Sequence, residues 1–590
     1  MLEIVKRNGQ TRPFDGNKIA NAIRLANSDV PEKPQVTEEE IAEIVAEVTD
    51  MARSNTRPLH VEEIQDMVET GIMRAKKFDV ARAYITWRYR HTMVRRANTT
   101  DEKVMALIDV EHPERHEGFK DAVVNCQQRD YIAGIISRDI SKRLILDPQV
   151  VKAHEAGRVH IMYMDHYAQH VTGAGRIDLL DMLDNGTVIS ETLIERPHTL
   201  DTACNITTQI IAQSASSQAG DLVISLAHLL PFIKESRMRH RKEIRTEYGP
   251  DVPESVIEQI AEMRLKKEMT KGVQCIQYQV LTLMTTNGKA PDISILLDIG
   301  EAKEEERDDL RAFLMEALEQ RIQGVKGTDG NWYSPAQPRY IFAYTRDLVR
   351  RDPVLVAKAL ECSRLTGTTS FVNRDLLERP SYGTFEQGNV IVDASLNKKE
   401  AEVLHLALKK THERLCQTSS DAAPLLWRYG ALARLGKNES IAPLLKSDAD
   451  KSYMTVTIAG LGNILRPEGR ITPDSALAVG VLIEAFRSTL NEWQKEDRIT
   501  YRLRLLPDSA ARTEEEQAYV TEIIKKTGKD PSNGLTVDLA GPEGYKELAS
   551  MRVLQELSAE FVLMVRNTDG EDGLLEAGLT RFQIESEKCE

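Results

Sequence analysis

At 590 residues the chain exceeds what one ordinary core needs, and the usual allowance of about 100–200 residues per domain calls for several units or one large barrel with an appendage. A hydrophobic share of 41% beside 28% charged residues is the balance of a soluble globular enzyme, which sets aside disordered and membrane-embedded chains. The formal charge of −14 argues against a polynucleotide partner and leaves a mononucleotide open.

The opening MLEIVKRNGQ has neither the apolar run of a signal peptide nor the Arg/Ser-rich character of a transit peptide, so a cytoplasmic location is expected. No stretch approaches the roughly 18 uncharged apolar residues of a membrane crossing. Residues 1–95 read as one module. Its β-rich start, EIVKRNGQTRPF, turns at Asn8-Gly9 and gives way to helices. In EEEIAEIVAEVTDMAR the apolar positions Ile41, Ile44, Val45 and Val48 recur at helical spacing. HVEEIQDMVETGIMRA follows as a second helix, and a third begins near Asp79 and carries ARAYITWRYRH. The polar, mixed stretch over 96–120 is read as a linker. From 121 to 590 helical runs alternate with short apolar runs, VHIMYM, DISILLDI, YIFAYT, NVIVDASL and YMTVTIAGL, which predicts an α/β fold with a largely parallel sheet or barrel. MRHRKEIRTEY and EAKEEERDDLRAF read as solvated helix faces. Cys126, Cys204, Cys275, Cys362, Cys416 and Cys589 stand singly with no C-x-x-C pair, so reduced thiols and no bound metal are expected.

The first site reading concerns phosphate. An early Lys6-Arg7 pair, Lys18 on the first helix and His60 are the cationic donors that triphosphate oxygens require. Taken singly, a Lys-Arg pair is usually solvated surface, and a histidine before a helix is more often a cap. The combined pattern, Val5-Lys6-Arg7-Asn8-Gly9, Phe14, Lys18-Ile19, Ala22-Ile23 and the closing VARAYITWRYR, resembles the ATP-cone found before many ribonucleotide reductases. That resemblance implies that Lys6, Arg7, Asn8, Lys18 and His60 contact phosphate or base, that Val5 and Ile19 flank the adenine, and that ATP or dATP acts as an effector coupled to oligomeric state.

From Arg129 the motifs RDYIAG, DISKRL, VKAHEAGRVH, LLDMLDNGTVIS, ERPHTLDTACNITTQIIAQSAS, KGVQCIQYQVLTLMTTNGKAP and SPAQPRYIFAY are similar to the anaerobic, glycyl-radical class of ribonucleoside-triphosphate reductases, as far as about residue 345. The resemblance implies a ten-stranded α/β barrel with a loop entering its centre. A cysteine at the loop tip would carry a thiyl radical, and a second cysteine on a barrel strand would donate hydrogen. The glycyl radical near the C-terminus would be made by a separate S-adenosylmethionine-dependent activase. Sulfur is required because an S–H bond exchanges hydrogen reversibly where an alcohol O–H does not.

By this resemblance Cys204 of TACNITTQ is the hydrogen donor, and His160, His170 and Asn205 bind substrate. The thiyl position reads Gly367-Thr368-Thr369-Ser370-Phe371, with threonine at the cysteine's place. The family's His-x-His-Asp run appears as His160-Ile161-Met162-Tyr163, and LLEAGLTRFQIESEKCE carries neither the zinc-binding cysteines nor an Arg-x-Cys-Gly-Tyr radical motif. The expectation is a homo-oligomeric protein that binds ATP, dATP or other nucleoside triphosphates, is inactive on its own, and regulates or assembles in response to nucleotide. The alternative is a reductase subunit making deoxyribonucleotides with a glycyl radical supplied by another chain.

Overall fold

The computed structural model describes residues 3–5, 11–28, 30–54, 59–86, 125–169, 171–189, 192–249, 251–282, 291–421, 451–508, 512–539, 542–557, 562–566, 574–575, 577 and 579–584. Two compact units divide the chain, Met1–His112 and Pro113–Glu590.

In the first unit, β1 (Glu3–Val5), β2 (Thr11–Pro13), α1 (Gly16–Ser28), α2 (Glu38–Ser54), β3 (Leu59–His60) and α3 (Val61–Arg74) follow in order. The apolar stripes foreseen from helical spacing close on one another, with Ile23, Ile41, Val48, Val68 and Ile72 almost fully buried. Gly71 lets α3 approach α2, since a Cβ there would stand 3.0 Å from Ile44. β1 is central, antiparallel to β2 and parallel to β3.

The second unit is an α/β barrel wall. Its elements run α4 (Pro148–Glu155), β4 (Val159–Ile161), β5 (Gly175–Arg176), the hairpin β6 (Thr187–Ile189) and β7 (Thr192–Ile194), α5 (Leu200–Ala215), β8 (Leu222–Ser225), α6 (Leu230–Tyr248), α7 (Glu254–Thr282) and β9 (Ile293–Leu297). Next come α8 (Arg307–Gln323), the hairpin β10 (Val325–Lys326) and β11 (Trp332–Tyr333), β12 (Arg339–Tyr344), α9 (Pro353–Thr366), β13 (Thr369–Asn373), β14 (Thr384–Asp393) and α10 (Lys398–Asp421). β15 (Ser452–Ala459), α11 (Pro473–Asp497), β16 (Thr500–Leu505), α12 (Glu514–Thr527), β17 (Thr536–Asp538), α13 (Pro542–Leu557), β18 (Leu563–Arg566) and β19 (Arg581–Ile584) complete it.

One mixed sheet of 12 strands is built from these, against the ten that the resemblance implies. β5, β8, β9, β12 and β13 are mutually parallel, as are β14, β15 and β16, and β17, β18 and β19. The blocks join antiparallel at β5/β14 and β13/β19. β4 lies off the main path, antiparallel on the far end of β14. Side chains tie the two ends of the path: Asn533 Nδ2 donates to the carbonyls of Ile458 and Leu506, and Thr536 Oγ1 to Asp508 Oδ2.

Strand alternation separates two faces. Ile224, Ile295, Phe342, Phe371, Val390, Val456 and Leu503 pack outward into a core shared with the surrounding helices. Their neighbours in sequence face inward. Leu296, Ala343 and Val372 form an apolar inner patch that Leu377 and Tyr382 cover, while Ile391, Ala459 and Leu506 pack under Tyr519, Val520 and Ile523 of α12. No helix among the described residues is long and apolar enough to cross a membrane.

Candidate functional site

The inner face of the barrel gathers ionisable groups in three clusters. At one end, where the parallel strands β8 and β9 finish, Tyr382 donates to Glu301 Oε1 at 2.5 Å and Ser225 Oγ donates to Glu301 Oε2. Arg374 Nε donates to Asp298 Oδ2 at 3.0 Å, and the His228 ring stands 4.4 Å from that of Tyr382. Burial raises the Glu301 carboxyl and lowers His228 to about 4. Carboxyl ends of parallel strands are where open α/β sheets place their ligands.

Deeper in, Thr455 Oγ1 donates to Glu386 Oε2 at 2.5 Å, and Arg504 donates to Glu516 Oε1 of α12 at 2.5 Å. The Tyr163 amide donates to Glu515. Burial pushes both the Glu386 carboxyl and the Tyr163 phenol upward, with the neighbouring carboxylates adding to the latter. Asp221 and Asp292 share Arg339 at 3.3 and 2.8 Å, and Ser294 donates to Asp221.

Thr368 is not at the tip of a central loop. Asp352 caps α9 at its start, and Gly367, at φ +64°, ends it in the left-handed conformation. The chain then enters β13, so Thr369 to Asn373 form a barrel strand paired to β12 and β19. Arg321, wholly buried on α8, donates Nε and Nη2 to Thr368 Oγ1 at 3.1 and 2.9 Å, and also donates to the carbonyls of Pro335 and Gln337. The link from β13 to β14 spans only residues 374–383, and it lies across the inner patch through Leu377 and Tyr382.

Cys204 also departs from its expected place. It lies on helix α5 and not on a strand, wholly buried in the outer core, where a Cβ at Gly272 of α7 would meet its Sγ at 2.7 Å. Burial raises its thiol. Cys275 is on α7, and Cys362, on α9, receives a 3.4 Å hydrogen bond from Thr369 Oγ1. All three described thiols therefore sit on helices around the wall. His160 is enclosed: His154 stacks on it at 4.4 Å and Tyr519 of α12 stands 4.8 Å away. Asn205 is exposed on α5, and His170 lies outside the described residues.

In the first unit the register sets Val5 opposite His60, which joins two of the proposed nucleotide contacts through backbone; their side chains are not among those described. Lys18 is exposed on α1, while its neighbour Ile19 turns into the core. Lys6, Arg7 and Asn8 lie outside the described residues, as do the proposed linker and the segment from 422 to 450.

Residues 120–388 match the family described as anaerobic ribonucleoside-triphosphate reductase, and residues 2–93 match the ATP cone domain. Over 559 residues the chain is 28% identical to the anaerobic ribonucleoside-triphosphate reductase of Haemophilus influenzae, covering 85% of this chain and 76% of that one. The Escherichia coli protein of the same name is 27% identical, with coverage of 84% and 74%. The chain thus carries an anaerobic ribonucleoside-triphosphate reductase domain over residues 120–388, preceded by an ATP cone. In fold, this reductase relative superimposes on the anaerobic ribonucleotide reductase of Thermotoga maritima with dATP bound in the specificity site, at a TM-score of 0.58 and 12% identity, over 84% of this chain and 91% of that one. A structure of the same enzyme with dATP and CTP gives 0.55, also at 12% identity, over 78% and 82%.

The inward residues escaped the sequence reading because they stand on separate stretches of chain, Glu301, Arg374 and Tyr382 in polar connections and Glu386 and Thr455 within strands, with no local pattern that ties them together. One signal was available: in the strand TYRLRL, Arg502 and Arg504 recur at period two and so share a face.

Proposed function

We propose that this reductase relative binds nucleoside triphosphates, with ATP or dATP as effector at its cone, and does not carry thiyl chemistry on its own. The observation that supports the reading is the placement of the thiols: Cys204, Cys275 and Cys362 all stand on helices outside the barrel wall, and Thr368 sits at a helix-to-strand junction. A thiyl radical must reach the ribose directly, and no described thiol faces the interior. Nucleotide binding would then be coupled to self-association or to a partner chain.

The deciding assay incubates the purified full chain anaerobically with CTP, ATP, formate and a thiol reductant, with a glycyl-radical activase present, and measures dCTP. No product is expected, and Thr368→Cys should not create any, because the new sulfur would replace the hydroxyl that Arg321 holds instead of entering the barrel. Appearance of dCTP in either protein would overturn the reading. For the cone, Lys18→Ala should weaken ATP binding about tenfold or more by calorimetry, as expected for loss of one charge-assisted phosphate contact. An unchanged affinity would remove Lys18 from the site.

A further inference from the structure

Strand order makes the link between β13 and β14 cross the mouth of the barrel. The two strands stand at opposite ends of the run β14, β5, β8, β9, β12, β13, which puts them about 24 Å apart along the wall at the usual strand spacing. Residues 374–383 bridge that distance, and a stretch of this length reaches about 33 Å when extended, enough to pass across as a chord. Both ends are moored where the parallel strands finish. The Arg374 amide donates to the Tyr344 carbonyl at the end of β12, and the Gly383 amide donates to the Arg176 carbonyl at the end of β5.

Each mooring is a local turn. Asn373 Oδ1 accepts from the Asp375 amide at 2.9 Å and the Asn373 carbonyl accepts from the Leu377 amide at 3.0 Å, while Gly383 takes the left-handed conformation at φ +69°. Between them, among the described residues, no backbone hydrogen bond ties 378–382 to the wall. Side chains hold the middle instead. Arg374 Nε donates to Asp298 Oδ2 at 3.0 Å, Arg379 stands 3.9 Å from the same carboxylate, and Tyr382 donates to Glu301 Oε1 at 2.5 Å. Leu377 and the Tyr382 ring rest on Leu296, Ala343 and Val372, and the other side of the link faces solvent through Leu376, Glu378, Arg379 and Ser381. Open α/β sheets leave the carboxyl ends of their strands free for ligands. Here the chain fills that place itself, since Asp298 and Glu301 already accept from the link and the apolar patch already lies beneath it.

We propose that residues 374–383 are an autoinhibitory strap: closed, they satisfy Asp298 and Glu301 from within and cover the inner patch, and they lift as a unit, with the barrel still folded, when Arg374 and Tyr382 are released. The strap depends neither on the cone nor on the placement of the thiols, so those readings can fail without it.

Thiol labelling of the full chain tests it. Val372→Cys places a thiol under the strap with little change in volume, and its reaction with N-ethylmaleimide is read by mass spectrometry beside Cys204, which is wholly buried in the outer core and reports opening of the whole unit. With the strap intact the introduced thiol should react slowly. Adding Arg374→Met and Tyr382→Phe, which cut both latches and keep the covering ring, should speed it about tenfold or more, with Cys204 still protected and the melting temperature within about 2 °C. Ala343→Cys, on β12 under the same cover, should respond in the same way and takes over if Val372→Cys does not fold. Four results overturn the strap: introduced thiols that react no faster once the latches are cut, thiols that speed up only together with Cys204, labelling with intact latches as fast as at the partly exposed Cys275, or latch variants that do not fold. Each of these makes 374–383 either open already or a fixed part of the core.

Discussion

Arg321→Ala is expected to destabilise the barrel unit by about 3 kcal/mol, since it takes a buried donor away from the part-buried carbonyls of Pro335 and Gln337 and from the Thr368 hydroxyl, at roughly 1 kcal/mol each. The guanidinium of Arg321 is fully buried on α8, and no carboxylate is among its hydrogen-bond partners. It joins α8 to the segment before β12 and to the start of β13, so one side chain holds together three pieces of chain. Burial lowers its pKa, because no carboxylate among its hydrogen-bond partners offsets the desolvation. Arg321→Met should cost less, because it removes the buried charge and keeps the volume while still orphaning the acceptors. Thr368→Val should cost about 1–2 kcal/mol and be non-additive with Arg321→Ala, since both remove the same contact. Denaturant unfolding followed by circular dichroism measures all three; a change below about 1 kcal/mol for Arg321→Ala would show that the clasp is redundant.

The second large effect is on acid stability. Burial lowers His160 to about 3 and His154 to about 2, with Lys142 disfavouring a proton on either ring. Lys526 and Arg138 add to this at His160, while Glu522 opposes it at His154. A histidine whose folded pKa lies below its unfolded value of about 6.5 binds fewer protons when folded. Its contribution is therefore complete at neutral pH and is lost as pH falls from about 6.5 toward 3 for His160. Between pH 7 and pH 4 one such ring accounts for about 3 kcal/mol. His160→Phe keeps a ring between His154 and Tyr519 but cannot take a proton, so its stability should fall less steeply over that interval. Parallel acid limbs for the two proteins would mean that His160 does not titrate on unfolding.

Both effects concern residues first noticed for chemistry. Thr368 drew attention because it stands where a cysteine was expected, yet its hydroxyl is a structural acceptor. His160 was expected at substrate, and α12 closes over it instead. The local text misleads in the same way each time. TGTTSF is compatible with a loop tip and with a helix stop followed by a strand, and only the pairing of Ser370 with Ile341 and Gln583 decides between them. TACNITTQ likewise reads as strand or helix, and its placement on α5 follows from the packing of Cys204 against Gly272 across α7.

Much was nevertheless legible in the residues alone. Helical periodicity located α2 and α3, and the apolar runs located β9, β12, β14 and β15, because burial of one face or both leaves a local pattern. The motif order carried the kinship to anaerobic reductases and to the ATP cone. What only the tertiary structure decided is which side of the barrel each polar residue faces and what it meets there. Arg504 meets Glu516, Tyr382 meets Glu301, and Arg321 meets Thr368 across 12, 81 and 47 positions of chain. Secondary structure is written in neighbours a few residues apart, whereas a site inside a closed sheet is made by strands that become adjacent only when the ladder forms.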